Sequence, residues 1–216
     1  MTPQEIIDAA RRGYNASSSD PFFSDQQMLE WIYQATMELA KEGFIIEKVF
    51  TTTTVAGTQG YAYPTNMFAI KRITYDGEPL KHLSQREDDL LTGGDQDITT
   101  QGTPEGFVDF NQTIDLRPYP DAAKTLKVWG YVHPSGVPTN TSVLDVPDEW
   151  HIHLCNYIWR EMSAKNKNYE GARYYGAQWE KTVEQARRFQ KRKQRGMEFR
   201  VVQNSDILPS AVLRGI

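Results

Sequence analysis

The chain has 216 residues, 39% of them hydrophobic, 24% charged and 12% aromatic, with a formal net charge of −4. That aromatic content excludes a disordered chain, and the mild acidity excludes a protein that binds nucleic acid over its whole surface. A single cysteine, Cys155, excludes an internal disulfide and suits a reducing compartment.

The first predicted element is a helix over "TPQEII": Thr2 caps, Pro3 takes the first turn and Glu5 completes a capping box. Gly13 is read as its stop, and "YNASSSDP" as a polar loop. A second helix follows in "FFSDQQMLEWIYQATMELAKEGF". Ser24 caps it, Phe23 can staple to Met28, and Met28, Leu29, Ile32, Ala35 and Leu39 make a wide apolar face. Gly43 is its expected stop.

The texture then turns to β-branched and aromatic residues punctuated by glycine. "IEKVFTTTTVAGTQGYAYP" reads as strand–turn–strand, and "MFAIKRITYDGEPLKHLS" continues it with a tight turn at Asp76-Gly77. "SQREDDLLTGG" is a short helix with a Ser84–Glu87 capping box. Strands return around Phe107–Phe110, Ile114–Leu116 and Leu126–Val132. "VPDEWHIHLCNYIWREMSAKNK" is helical, with Pro147 in the first turn and Asp148 and Glu149 at the positive helix end. A last helix is expected from about Asn168 to Arg195, with a seam of Ala172, Tyr175, Trp179, Val183 and Ala186. Beyond Gly196 the chain reads as an extended tail.

The expected architecture is α+β. Residues 1–46 and 145–196 form a helical bundle of N- and C-terminal helices. Residues 47–144 form an inserted antiparallel β module, and 197–216 an extended tail.

The strongest enzyme candidate is the set Asp145, Glu149 and His153, with Asp148 and His151 nearby. His151 and His153 stand two apart and so lie on different faces of a helix, and the acids are explained by helix capping. Cys155, in an apolar helix, is expected to resist ionisation. "GTQG" and "TGGDQD" lack the lysine and the spacing of a phosphate loop. Asp88, Asp89, Asp95 and Asp97 lack calcium-loop spacing and read as a solvated acidic loop. No catalytic residue, metal or cofactor is assigned, and no apolar run is long enough to span a membrane. The opening "MTPQEIIDAARRG" has no charged-then-apolar leader pattern.

The basic stretch carries more information. Arg187, Arg188, Lys191, Arg192, Lys193 and Arg195 cluster on the last helix, with Lys181 and Arg200 nearby and only Glu184 and Glu198 opposing. A solvated helix end accounts for them; contact with nucleic acid through 187–195, or with an acidic protein surface, does so equally. The tail strings Phe199, Val201, Val202, Ile207, Leu208, Val212 and Leu213 among polar residues and Pro209. Apolar residues in an extended segment with no partner in their own domain suggest burial on another chain.

The order of these pieces resembles the head-to-tail adaptor (connector) proteins of tailed bacteriophages, in particular those like tail tubular protein A of short-tailed phages. "MLEWIYQATMELAKEGF", "YAYPTNMFAIKRITYDGEPLKHLS", "GTPEGFVDFNQTIDLRPYPDAAKTLKVWGYVHP" and "VPDEWHIHLCNYIWREMSAKNKNYEGARYYGAQWEKTVEQA" carry the likeness, over residues 24–190. The resemblance implies a noncatalytic virion protein of the tail or neck, assembled in the host cytoplasm. It implies a homo-oligomeric ring, a dodecamer, below the portal protein. Such a ring extends the DNA channel, lets genomic DNA pass without specific binding, and carries the tail hub or nozzle protein. It further implies that the basic helix end and the tail, Arg187 to Leu213 as named above, bind the portal.

Overall fold

The computed structural model describes residues 1–17, 20–92 and 100–206, with the backbone alone for 91–92 and 194–206. It is mixed α and β, and the chain divides into two compact units. One holds Met1–Ile46 and Pro134–Ile216, the other Glu47–His133.

In the first unit, α1 spans Pro3–Tyr14 and α2 Asp25–Gly43. The capping box is formed: Thr2 Oγ1 accepts from Glu5 N, and Thr2 N donates to Glu5 Oε2 at 2.8 Å. Ser24 Oγ likewise accepts from Gln27 N. After Pro147 the chain makes a 3-10 turn over Asp148–His153 before α4, Leu154–Lys165. A continuous α-helix was expected there; the tighter turn buries the adjacent Trp150 and His151 together. The loop from Pro134 is tied to α1, since Gln4 N donates to Asn140 O, and closed on itself, since Asp145 Oδ2 accepts from Ser135 N and Oγ.

The last helix, α5, spans Tyr169–Asp206. It does not stop at Gly196, so the extended reading of 197–206 is corrected. An interior glycine costs only ~1 kcal/mol against alanine, and the first proline beyond it is Pro209. Ile207–Ile216 lies outside the described residues.

α2 stops at Gly43 as expected and α1 one residue beyond Gly13, but neither glycine is the left-handed cap. Asn15 (φ 56°), after Tyr14 at the end of α1, and Phe44 (φ 54°), after Gly43 at the end of α2, take the left-handed position. The glycines serve packing instead. A Cβ on Gly13 would lie 2.4 Å from Trp159 Cζ2, and one on Gly43 would lie 2.9 Å from Ala186 Cβ. Trp159 Nε1 donates to Ala10 O at 2.8 Å, so the indole is both hydrogen-bonded and pressed against α1. Gly13→Ala is expected to lower stability by about 1–3 kcal/mol through overpacking, although alanine favours the helix. A urea unfolding midpoint equal to or above that of the parent would contradict this.

The core of this unit is Ile6, Ile7, Met28, Ile32, Leu39, Leu154, Ile158, Met162 and Trp179, all fully buried. Trp179 crosses to α2, where Nε1 donates to Glu38 Oε1 at 2.9 Å, and it meets the Tyr157 ring edge-on at 5.2 Å.

The second unit contains two four-stranded sheets. Its strands are β1 (Glu47–Thr53), β2 (Gly60–Ala62), β3 (Met67–Tyr75), β4 (Glu78–Pro79), β5 (Lys81–His82), β6 (Gln101–Gly102), β7 (Gly106–Phe110), β8 (Thr113–Arg117), β9 (Tyr119–Pro120) and β10 (Thr125–Val132). One sheet has the order β1-β10-β3-β4 and the other β2-β8-β7-β5, while β6 and β9 pair separately. Pairing is antiparallel except for β5 with β7 and β6 with β9. Ile114 and Leu116 of β8 are buried, as are Leu126, Val128 and Val132 of β10, and Tyr131 is buried with them. Asp76 and Gly77 both have positive φ, the signature of the tight hairpin expected between β3 and β4.

Helix α3, Gln85–Thr92, starts at the predicted box: Ser84 N donates to Glu87 Oε2 at 2.8 Å and Glu87 N to Ser84 Oγ. The Ser84 hydrogen bonds, with the Lys81 ammonium at 2.9 Å, lower the Glu87 pKa to about 2. A depressed carboxyl stabilises the fold above the unfolded value of about 4.3 and stops doing so as pH falls toward 2. The Glu87 carboxyl resonance is therefore expected to titrate near pH 2, and Glu87→Gln to remove one component of acid lability. A midpoint near 4 would contradict the box.

Candidate interaction surface

The inward line of α5 is Trp179, Thr182, Val183, Ala186 and Gln190, all buried at helical spacing. This leaves Lys181, Arg187, Arg188, Lys191, Arg192 and Lys193 on exposed positions. The helix brings the predicted cluster to one stretch of surface but does not leave it uniformly available. Arg187 pairs with Glu42 and donates from Nε to Glu42 O at 3.1 Å, and Arg188 pairs with Glu184 one turn back at 2.9 Å. Gln190 Nε2 donates to Phe44 O, which pins this turn of α5 to the end of α2. Such exposed pairs contribute roughly 0.2–1 kcal/mol each, so a partner can displace them at small cost.

The basic surface has an apolar neighbour that the charge pattern did not reveal. Phe189 is half exposed and meets the Trp150 ring edge-on at 6.2 Å, and Ile152 and Phe44 are also exposed. Arg195, Phe199, Val201 and Val202 lie on the α5 backbone, their side chains outside the described residues. Ile207, Leu208, Val212 and Leu213 lie outside them altogether.

The enzyme candidates are spent on structure. Asp145 caps the Ser135 turn, Glu149 accepts from Trp150 Nε1 at 3.1 Å, and the ring of His153 lies 6.0 Å from that of Trp150. His151 is buried, its Nε2 2.8 Å from Val146 O. Burial pushes the Cys155 thiol up to about 11, far from a reactive thiolate. Among the described residues no three of His, Cys, Asp and Glu converge on a metal position.

Asp88 is not part of a solvated acidic loop, and that expectation is corrected. It is buried, and its carboxylate takes Arg117 Nε at 2.6 Å and Nη2 at 2.9 Å. Burial opposes the Arg117 charge, but the Asp88 hydrogen bond and charge outweigh it and the pKa is raised. Burial raises the pKa of neighbouring Asp115, against the pull of Arg117. Asp89 is exposed, and Asp95 and Asp97 lie outside the described residues. No helix among the described residues is long and apolar enough to cross a membrane.

With its acids and histidines tied into the fold and a basic, apolar-flanked helix end turned outward, the chain has the features of a structural protein that works through contact with other chains. It belongs to the SU10 adaptor protein family, whose model it matches over residues 1–203. Membership makes it a structural adaptor of a bacteriophage particle and a component of the virion. No curated protein matches the chain.

Proposed function

We propose that the protein is a head-to-tail adaptor that forms a ring, a dodecamer, below the portal, extends the DNA channel and provides the platform for the tail hub or nozzle. The finer likeness to tail tubular protein A belongs to this proposal. The helical unit is its body and the β unit its insertion. The observation that carries the reading is the charge segregation on α5. From 181 to 200 eight basic residues face only Glu184 and Glu198, in a chain whose net charge is −4. That segment docks onto the portal through Arg187, Arg188, Lys191, Arg192, Lys193 and Arg195. The apolar residues Phe199, Val201, Val202, Ile207, Leu208, Val212 and Leu213 continue the same contact.

The test is a pull-down from producing cells with the full chain and with a version ending at Gly196, imaged by electron microscopy. The full chain is expected to capture a ring-shaped partner and the shortened one to lose it. If neither captures a ring or a particle, the reading fails. The competing reading, a nucleic-acid module at 187–195, requires binding to DNA that weakens steeply with salt, a log–log slope of about −0.9 per phosphate contact.

A further inference from the structure

Residues 49–70 contain no Asp, Glu, Lys or Arg, in a chain that is 24% charged. They include most of β1, the edge strand of its sheet, and β2, the edge strand of the other. Edge strands are ordinarily guarded by charge, proline, a bulge or brevity. β1 has seven residues in continuous register with β10, and from Val49 onward it has none of these guards. Nor does it show the alternation of a strand with one buried face: Val49, Thr51, Thr52 and Thr53 are all exposed, and Val55 beyond them is 60% exposed.

Between the two edges lies a groove of about 350 Å³, lined by Phe50, Thr51, Thr52, Tyr61, Ala62 and Val128. At the opposite side the sheets are stitched together, because β4 and β5 belong to different sheets and are separated by Leu80 alone. Depletion of charge with retained apolar area is the composition of an interface core, not of a solvated face.

We propose that the β1 edge is the seat of a second copy of this chain, and that the strand it receives is β3. Over Met67–Arg72, β3 has β10 as its sole strand neighbour among the described residues, since β4 pairs only with Thr74 and Tyr75. The same sheet thus offers two open edges of similar length on opposite sides. A closed ring needs two different, mutually complementary patches on each subunit, and these edges meet that need without a third chain. Both strands run antiparallel to β10, so the new pair is parallel. Because β4 occupies the outer edge of β3 at Thr74 and Tyr75, the junction is staggered from flush, so that Val49–Thr52 of one copy lies along Ala69–Arg72 of the next and Val49 stands beside Ala69. The apolar groove then receives side chains from the neighbour's β3 end. This inference rests on the ring reading and assigns its lateral contact.

The test uses the full chain, whose one native cysteine is buried and therefore silent. Val49→Cys, Ala69→Cys and the double variant are oxidised to disulfides at high protein concentration, a cross-link too short to join the two positions across β10 within one chain, and the same samples are imaged. A ladder of cross-linked species from the double variant alone is the expected result. Thr51→Lys added to it should cut the ladder by at least about tenfold, by placing a guard charge on the edge. Cross-linked dimers from Val49→Cys alone would overturn the proposal in favour of a two-fold contact between β1 edges. Rings in the images without a ladder would overturn the edge contact and leave the adaptor ring standing. No rings and no ladder would overturn both.

Discussion

Asp88→Ala is expected to destabilise the protein by about 3–5 kcal/mol, the loss typical when one partner of a buried ion pair is removed. The side chains of Arg117 and Asp88 are 11% and 5% exposed, so the guanidinium has little water to turn to. Asp115 lies close enough to act on Arg117 electrostatically, which places the expected loss toward the lower end. A double variant, Asp88→Leu with Arg117→Met, should recover much of the loss, because the cost comes from the orphaned charge and not from the pair. Urea unfolding of the parent, the single and the double variants decides it. A double variant as unstable as Asp88→Ala would show that the contact holds α3 against β8 by shape, not by charge.

Trp179→Ala should cost a similar amount, about 3–5 kcal/mol, the range for removing a fully buried large aromatic residue. Trp179 is 1% exposed and joins three helices: it sits on α5, bonds Glu38 of α2 and stacks edge-on against Tyr157 of α4. Trp179→Phe keeps a ring and loses the hydrogen bond, and should fall between parent and alanine variant, about 1–3 kcal/mol down, since the Glu38 carboxylate loses its donor. Equal midpoints for Trp179→Phe and Trp179→Ala would assign the whole effect to the hydrogen bond and contradict the packing account.

Features written within a few residues were legible in the sequence. The boxes Thr2–Glu5 and Ser84–Glu87, the Ser24 cap and the Asp76-Gly77 hairpin each need only neighbours to form, and each is present. The buried seam of α5 was legible because helical period sorts Trp179, Val183 and Ala186 onto one side. Features that depend on residues far along the chain were not. Gly13 and Gly43 stand at the helix ends where they were read, but that they face Trp159 and Ala186 was not legible, because no local pattern shows that a glycine also admits a distant ring or methyl group. Asp88 looked solvated because its acidic neighbours do; its partner, Arg117, arrives through strand order. The candidate surface was half legible: the cations could be counted, but their engagement by Glu42 and Glu184 and the flanking Phe189 required the fold. The bareness of β1 was visible as a run without charge and gained meaning only when the strand proved to be an edge.

The two packing glycines also bear on how the protein transmits force. Helices held apart by long side chains can slip past one another as rotamers change. Where α1 meets the Trp159 indole, and where α2 meets the Ala186 methyl of α5, the glycine adds no side chain of its own to rearrange. Both junctions fit closely: α5 bears on the backbone of α2 through one methyl group, and α4 on that of α1 through one hydrogen-bonded indole. A structural part of a phage particle gains from joints that do not creep, and the absence of a Cβ on one side of each contact is what lets these two close.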